Sequence, residues 1–138
     1  MPETGKLTQL IVEFYEKLSS WEHCVVRDKG LTLPQVHALE ILGTHQALRM
    51  KELAERMGVT TGTLTVLADR LEKAGMIRRK PHEKDRRSIL VELTAQGQLI
   101  FEEHDELHNQ LTRDITANLS DMERKALRDI LEKINQEF

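Results

Sequence analysis

Cysteine is almost absent from this 138-residue chain: Cys24 stands alone, so no internal disulfide can form, and a cytoplasmic protein is expected. Long apolar runs are absent too, and none approaches the ~20 residues that a membrane-spanning helix needs. The opening MPETGKLTQLIVEFYEK has no basic segment followed by an uninterrupted apolar one, so no signal peptide is expected. There is no internal repeat and no low-complexity tract. There is also no nucleophile motif, no glycine-rich phosphate loop and no H-E-x-x-H, so an enzyme is not expected. The length is that of one domain, and 39% hydrophobic residues suffice for a buried core.

What is present is charge, unevenly placed. The chain carries 20 Lys+Arg and 23 Asp+Glu, a formal net charge of −3. Residues 49–87 nevertheless hold 11 basic against 6 acidic side chains, and the rest of the chain holds 9 against 17. Within 78–87 alone stand Arg78, Arg79, Lys80, Lys84, Arg86 and Arg87. A basic middle between acidic arms implies a polyanionic partner for the middle.

Apolar residues at Leu7, Leu10, Ile11, Phe14, Leu18, Trp21 and Val25 recur every three or four positions, one face of an amphipathic helix that Gly30 breaks. Thr32 and Pro34 mark the start of a second helix, which Gly43 is expected to end. A third spans 50–57, with Gly58 in a left-handed turn after it. Thr60 is the N-cap expected for a fourth helix that runs to about Ala74 and is closed by Gly75. The period then changes to the alternation of strands over 76–80 and 88–93, a β-hairpin with PHEKDRR as its exposed loop. A fifth helix of about 25 residues is marked by Ile100, Leu107, Leu111, Ile115 and Leu119. A sixth begins at the capping box formed by Ser120 and Glu123.

Two short helices joined at a glycine turn, then a charged hairpin, make the order of a winged helix-turn-helix. The fourth helix begins with Thr60, Thr61, Thr63 and Thr65, short polar side chains that fit a major groove. Their hydroxyls and the helix N-terminus suit phosphate, and a threonine methyl suits the thymine methyl. Arg70 is placed for backbone phosphate. Lys84, Arg86 and Arg87 would lie over the minor groove, with Asp85 bracing one guanidinium. Taken singly, a threonine-rich helix start is as readily a cap, and a charged loop a solvated turn. Together and in this order they favour double-stranded DNA. A winged helix used only for protein contacts is the competing reading, and it predicts no salt-dependent DNA affinity.

The stretch TTGTLTVLADRLEKAGMI, then Asp85-Arg86-Arg87, then Leu93-Thr94-x-x-Gly97, resembles the multiple-antibiotic-resistance regulator (MarR) family, and the resemblance runs over essentially the whole chain. It implies a mostly α protein, a winged helix-turn-helix over 31–93 with a helical dimerisation arm built from 1–30 and 94–138. It implies a homodimeric, ligand-responsive repressor on a palindromic operator. The helix at 60–74 would occupy the major groove and the wing at 81–87 the minor groove, Arg87 entering it and Asp85 supporting Arg87. Family members often carry a basic residue where this chain has Val66.

No cofactor is required on this reading, and three effectors compete. Zinc is one: Glu103-His104-x-x-x-His108 sets two imidazoles one helical turn apart. By resemblance to a zinc-sensing branch of the family, His37 in the second helix joins them. The helix-1 ligand of that branch falls near Ser19, which cannot serve; Glu16, Glu22, His23 and Cys24 are the nearby replacements. Oxidation of Cys24 is a second route, although a buried, inert thiol is the expectation there. A small aromatic or phenolic anion is the third.

Overall fold

The computed structural model describes residues 2–138 of the chain. They fold as two units, a first ending at Phe101 and a second, Glu102–Phe138.

In the first unit, helix α1 (Pro2–Asp28) is followed by α2 (Leu33–His45). Thr32 caps α2 reciprocally. Its hydroxyl accepts from the Gln35 N–H at 3.3 Å while its own N–H donates to Gln35 Oε1 at 2.9 Å. Gly43 does not end this helix as expected; α2 runs on to His45 and stops at Gln46, whose φ is 66°. The glycine answers a different need. A Cβ built at Gly43 would collide with the ring of Phe101, so hydrogen is the only side chain that lets this aromatic ring lie against α2.

Strand β1 (Leu48–Arg49) leads into α3 (Met50–Met57), and α4 (Thr61–Lys73) follows. Between the last two, Gly58 takes φ 70°, the left-handed turn where a Cβ is disfavoured. Strands β2 (Ile77–Pro81) and β3 (Ile89–Leu93) form the hairpin. The sheet has the order β1-β3-β2 and is antiparallel throughout, with Leu48 opposite Val91 and Arg78 opposite Glu92. The two-residue β1 gives no alternating pattern to read, and the sequence showed only a hairpin.

The core of this unit is Leu39 and Leu42 from α2, Leu53 and Ala54 from α3, Leu64, Ala68 and Leu71 from α4, and Ile77 and Val91 from the sheet, all buried. Each leucine withdrawn from water contributes on the order of 2 kcal/mol, so this cluster fixes α3 and α4 relative to the hairpin. Of α1, Val26 is buried in place of the expected Val25, while Leu7, Leu10, Ile11 and Phe14 remain exposed.

Helix α5 (Ala95–Ile115) crosses the boundary between the units, and α6 (Asp121–Gln136) completes the second. The fifth helix is shorter than the apolar spacing suggests: Leu119 lies in the turn beyond it, its N–H donating to the Thr116 carbonyl at 3.0 Å. Ser120 and Glu123 form the expected capping box. No residue of α6 is buried, and Leu127, Ile130, Leu131 and Ile134 form an exposed apolar stripe along it. Among the described residues, no helix is long and apolar enough to cross a membrane.

Gly43→Ala should lower stability by about 1–3 kcal/mol, the usual cost of overpacking a filled site. Gly5→Ala, on α1 with nothing within 4 Å of the added carbon, should raise it by up to about 1 kcal/mol through helix propensity. Urea unfolding midpoints check the pair, and a Gly43→Ala protein as stable as wild type would contradict the packing argument.

Candidate nucleic-acid interface and effector residues

The interface begins with the way α4 is capped. Thr60 Oγ1 accepts the Thr63 N–H at 3.1 Å and donates to Thr63 Oγ1 at 3.1 Å. Thr65 Oγ1 donates to the Thr61 carbonyl at 2.8 Å. The hydroxyls of Thr60 and Thr65 are thus already bonded within the helix, whereas the sequence suggested that they would serve phosphate. The exposed side of α4 carries Thr61, Gly62, Thr65, Val66, Asp69 and Arg70.

An open groove of about 440 Å³ runs beside this helix, lined by Thr61 and Thr65 of α4, Arg49, Met50 and Lys51 at the start of α3, and Arg79, Arg87, Ser88 and Ile89 of the hairpin. It brings together three of the expected contacts, Thr61, Thr65 and Arg87. Arg49 and Lys51 were missed: they lie outside the 78–87 cluster, and only the pairing of β1 with β3 draws them in. Thr60, Thr63, Arg70, Lys84 and Arg86 are exposed.

Asp85 does not brace a guanidinium. Its Oδ1 accepts the backbone N–H of Arg87 at 3.0 Å, and its Oδ2 accepts the Ser88 hydroxyl at 3.0 Å. The carboxylate folds the loop by taking up backbone, which leaves the Arg87 guanidinium to project from a fixed turn. The Arg87 N–H above all, then the Ser88 hydroxyl, hold the Asp85 carboxyl below the usual carboxylate range.

The cations of the hairpin divide into two groups. Arg78 and Lys80 share Glu92, at 3.0 and 3.3 Å. Arg79 turns toward α4, where its Nη2 meets Asp69 Oδ1 at 2.6 Å and Glu72 Oε1 at 2.8 Å, while its backbone N–H donates to Glu72 Oε2 at 3.0 Å. Lys84, Arg86 and Arg87 have no carboxylate partner among the described residues. Half of the basic cluster is therefore paired within the first unit, and the other half has no carboxylate partner among the described residues.

The proposed effector residues fall in both units. In the second, His104 is buried, and its Nε2 lies 3.1 Å from Nε2 of His108. Two imidazoles each ~2.0–2.1 Å from a tetrahedral zinc ion would have their nitrogens about 3.3 Å apart, so the pair is near the bidentate spacing. In the first unit, His37 lines a cavity of about 410 Å³ with Leu33, Pro34, Met57 and Val59, and with Glu22 and Glu40. Carboxylate oxygens of Glu22 and Glu40 lie within 4.8 Å of each other. Glu22 was among the expected replacements; Glu40 was not, since an i+3 neighbour of His37 on an ordinary helix gives no signal of its own. Cys24 is exposed, contrary to the buried thiol expected, and Arg27 Nη2 donates to its Sγ at 3.5 Å.

The MarR family model matches residues 31–89, from α2 into the hairpin. The transcriptional regulator MgrA of Staphylococcus aureus is 30% identical over 115 residues, which cover 83% of this chain and 76% of MgrA. The chain belongs to the MarR family. A regulator of Bacillus subtilis, YfiV, is 37% identical over 98 residues, 70% of this chain and 61% of that protein. Among solved structures, a mutant of E. coli MarR complexed with operator DNA is 29% identical, with a TM-score of 0.71 over 93% of this chain and 92% of that one. The matched stretch spans about half to three-fifths of the length of several curated relatives.

Within this MarR fold, Arg79→Gln should lower the urea midpoint at neutral pH without emptying the groove of cations. Arg79, first through its side chain and then its backbone N–H, holds the Glu72 carboxyl low. A carboxyl with a lowered folded pKa contributes stability that is present above its unfolded value and is lost as the pH falls through the folded one. The gap between wild type and Arg79→Gln should therefore close on acidification through and below the usual glutamate range. A gap that stays the same at every pH would show that it does not come from the ionised Glu72.

Proposed function

We propose that this chain is a sequence-specific transcriptional regulator of double-stranded DNA, a ligand-responsive dimeric repressor acting in the cytoplasm on a palindromic operator. The helix at 60–74 takes the major groove and the wing at 81–87 the minor groove. The observation that carries the reading is the groove where Thr61 and Thr65 meet Arg49, Lys51 and Arg87, beside a wing whose tip cations have no carboxylate partner among the described residues. Arg70 and Lys84 supply phosphate contacts at its margins. The same arrangement weighs against a module for protein contacts alone, which has no use for segregated positive charge.

A homodimer follows from the apolar faces. The stripe of Leu127, Ile130, Leu131 and Ile134 on α6, and the exposed Leu7, Leu10, Ile11 and Phe14 on α1, are more apolar surface than a monomer of this size leaves in water. A second copy covers both, as two-fold symmetry allows, with 1–30 and 94–138 as the dimerisation arm.

The effector is a divalent metal, with zinc as its test ion. His104 and His108 are its imidazole ligands, and His37 is the further histidine proposed. Bound zinc would supply a fixed cross-link between its ligands, not turnover. The cavity at His37 bears two carboxylates, which disfavour an aromatic anion there and favour a cation. Cys24 is exposed and accepts a hydrogen bond from Arg27, and it is the weakest of the three effector routes.

Fluorescence anisotropy with labelled DNA from upstream of the chain's own gene tests the first claim. Binding should weaken with salt at a log–log slope of about −0.9 for each phosphate neutralised. Arg87→Ala should weaken it far more than Arg124→Ala, because Arg124 is held by the Thr116 carbonyl and Asp121 on the second unit. Equal affinities would remove the wing from the interface. For the metal, calorimetric titration with Zn²⁺ should give tight binding that His104→Ala loses; identical isotherms would exclude the histidine pair.

A further inference from the structure

The middle of the exposed side of α4, at Thr65 and Val66, offers no free side-chain N–H donor. The Thr65 hydroxyl proton is directed to the Thr61 carbonyl at 2.8 Å, so what Thr65 offers a partner is its methyl group and the oxygen lone pairs. Beside it stands Val66, 54% exposed, while Leu64, Leu67 and Leu71 of the same helix are buried or half-buried. An isolated exposed valine is ordinary on a protein surface. This one lies in the middle of the DNA-facing side, where alanine or a long polar residue would favour the helix more. One turn back is Gly62, whose missing Cβ would meet nothing nearer than Thr60 Oγ1 at 3.9 Å, so the surface beside Val66 is low and a base edge can come close. Among the groups that base pairs display in the major groove, the thymine 5-methyl is the apolar one.

We infer that Val66 is a specificity-determining residue whose isopropyl group packs on the 5-methyl of a thymine in each operator half-site, with the Thr65 methyl beside it. The inference rests on the DNA-binding reading of α4 and goes beyond it by naming the atom that is read. A cytosine at that position has only C5–H where thymine has its methyl, so the contact is lost.

Uracil isolates the contact, because it pairs with adenine as thymine does and lacks only the methyl. The full-length protein would be used to enrich a tight-binding duplex from a random-sequence DNA library. Each thymine of that duplex would then be replaced singly by uracil, and affinities measured for wild type and Val66→Ala. One thymine per half-site should matter to wild type, its replacement weakening binding about fourfold, the effect of one buried methyl-sized group. Val66→Ala should lose most of the difference between the thymine and uracil duplexes, and its salt dependence should match wild type because no phosphate contact has changed. A wild type indifferent to every replacement, or a variant that keeps the full loss, overturns the inference while leaving salt-dependent DNA binding intact. Failure to enrich any duplex overturns the DNA-binding reading together with it. Val66 is exposed and alanine favours a helix, so the variant should unfold at or above the wild-type temperature, which a melting curve checks.

Discussion

The placement of α4 against the hairpin turns on a single guanidinium that carboxylates take up. Arg79 leaves β2 and reaches α4, joining Asp69 and Glu72 with one nitrogen and Glu72 again with its backbone N–H. A double-stranded ligand presents its grooves at fixed separations, so a helix and a wing that enter adjacent grooves must keep their own spacing. The leucine core sets that spacing to within the tolerance of apolar packing. Arg79 narrows it, because its side chain and its backbone N–H hold Glu72 together while the same guanidinium nitrogen meets Asp69. The pair is half exposed and screened, so its value lies in geometry more than in energy.

The same economy governs the rest of the basic cluster. A hairpin of consecutive cations would repel itself, and Glu92 on β3 relieves that by standing opposite Arg78 and within reach of Lys80. Asp85 relieves it differently, by binding backbone and hydroxyl groups and leaving the guanidinium beside it without a carboxylate. The loop therefore holds a carboxylate close to Arg86 and Arg87 without neutralising them through a direct pair. This is how an acidic chain presents a basic tip.

Much of this was legible in the sequence because its causes are local. The periods of α1, α3, α4 and α6, the caps at Thr32, Thr60 and Ser120, and the turn at Gly58 each depend on residues three or four positions apart. What the sequence hid depends on residues far apart. Gly43 reads as a helix end until Phe101, distant in the chain, is laid against it. A two-residue β1 has no period, and without its pairing to β3 nothing brings Arg49 and Lys51 beside Arg87. Asp85 could be assigned to the wing by position, but whether it binds side chain or backbone is decided by the turn. Glu40 carries no signal until it is seen beside Glu22, on another helix.

Val66 shows how the two kinds of information combine. The resemblance to the family makes it a departure, a missing cation, and implies weaker contact with DNA. The structure changes the meaning of that departure, because the hydroxyl of Thr65 beside it already donates to the Thr61 carbonyl of its own helix. A basic residue there would add affinity for any base step that offers N7 or O6 acceptors, and for phosphate. An apolar one adds little affinity anywhere except against a methyl group. Positive charge from the wing and from Arg49 and Lys51 can supply attraction without sequence preference, so the helix is free to use its middle position for discrimination. On this argument the valine and the unpaired wing cations are complementary: the more the affinity comes from phosphate, the more a weak, short-range contact at position 66 can decide which sequence is held.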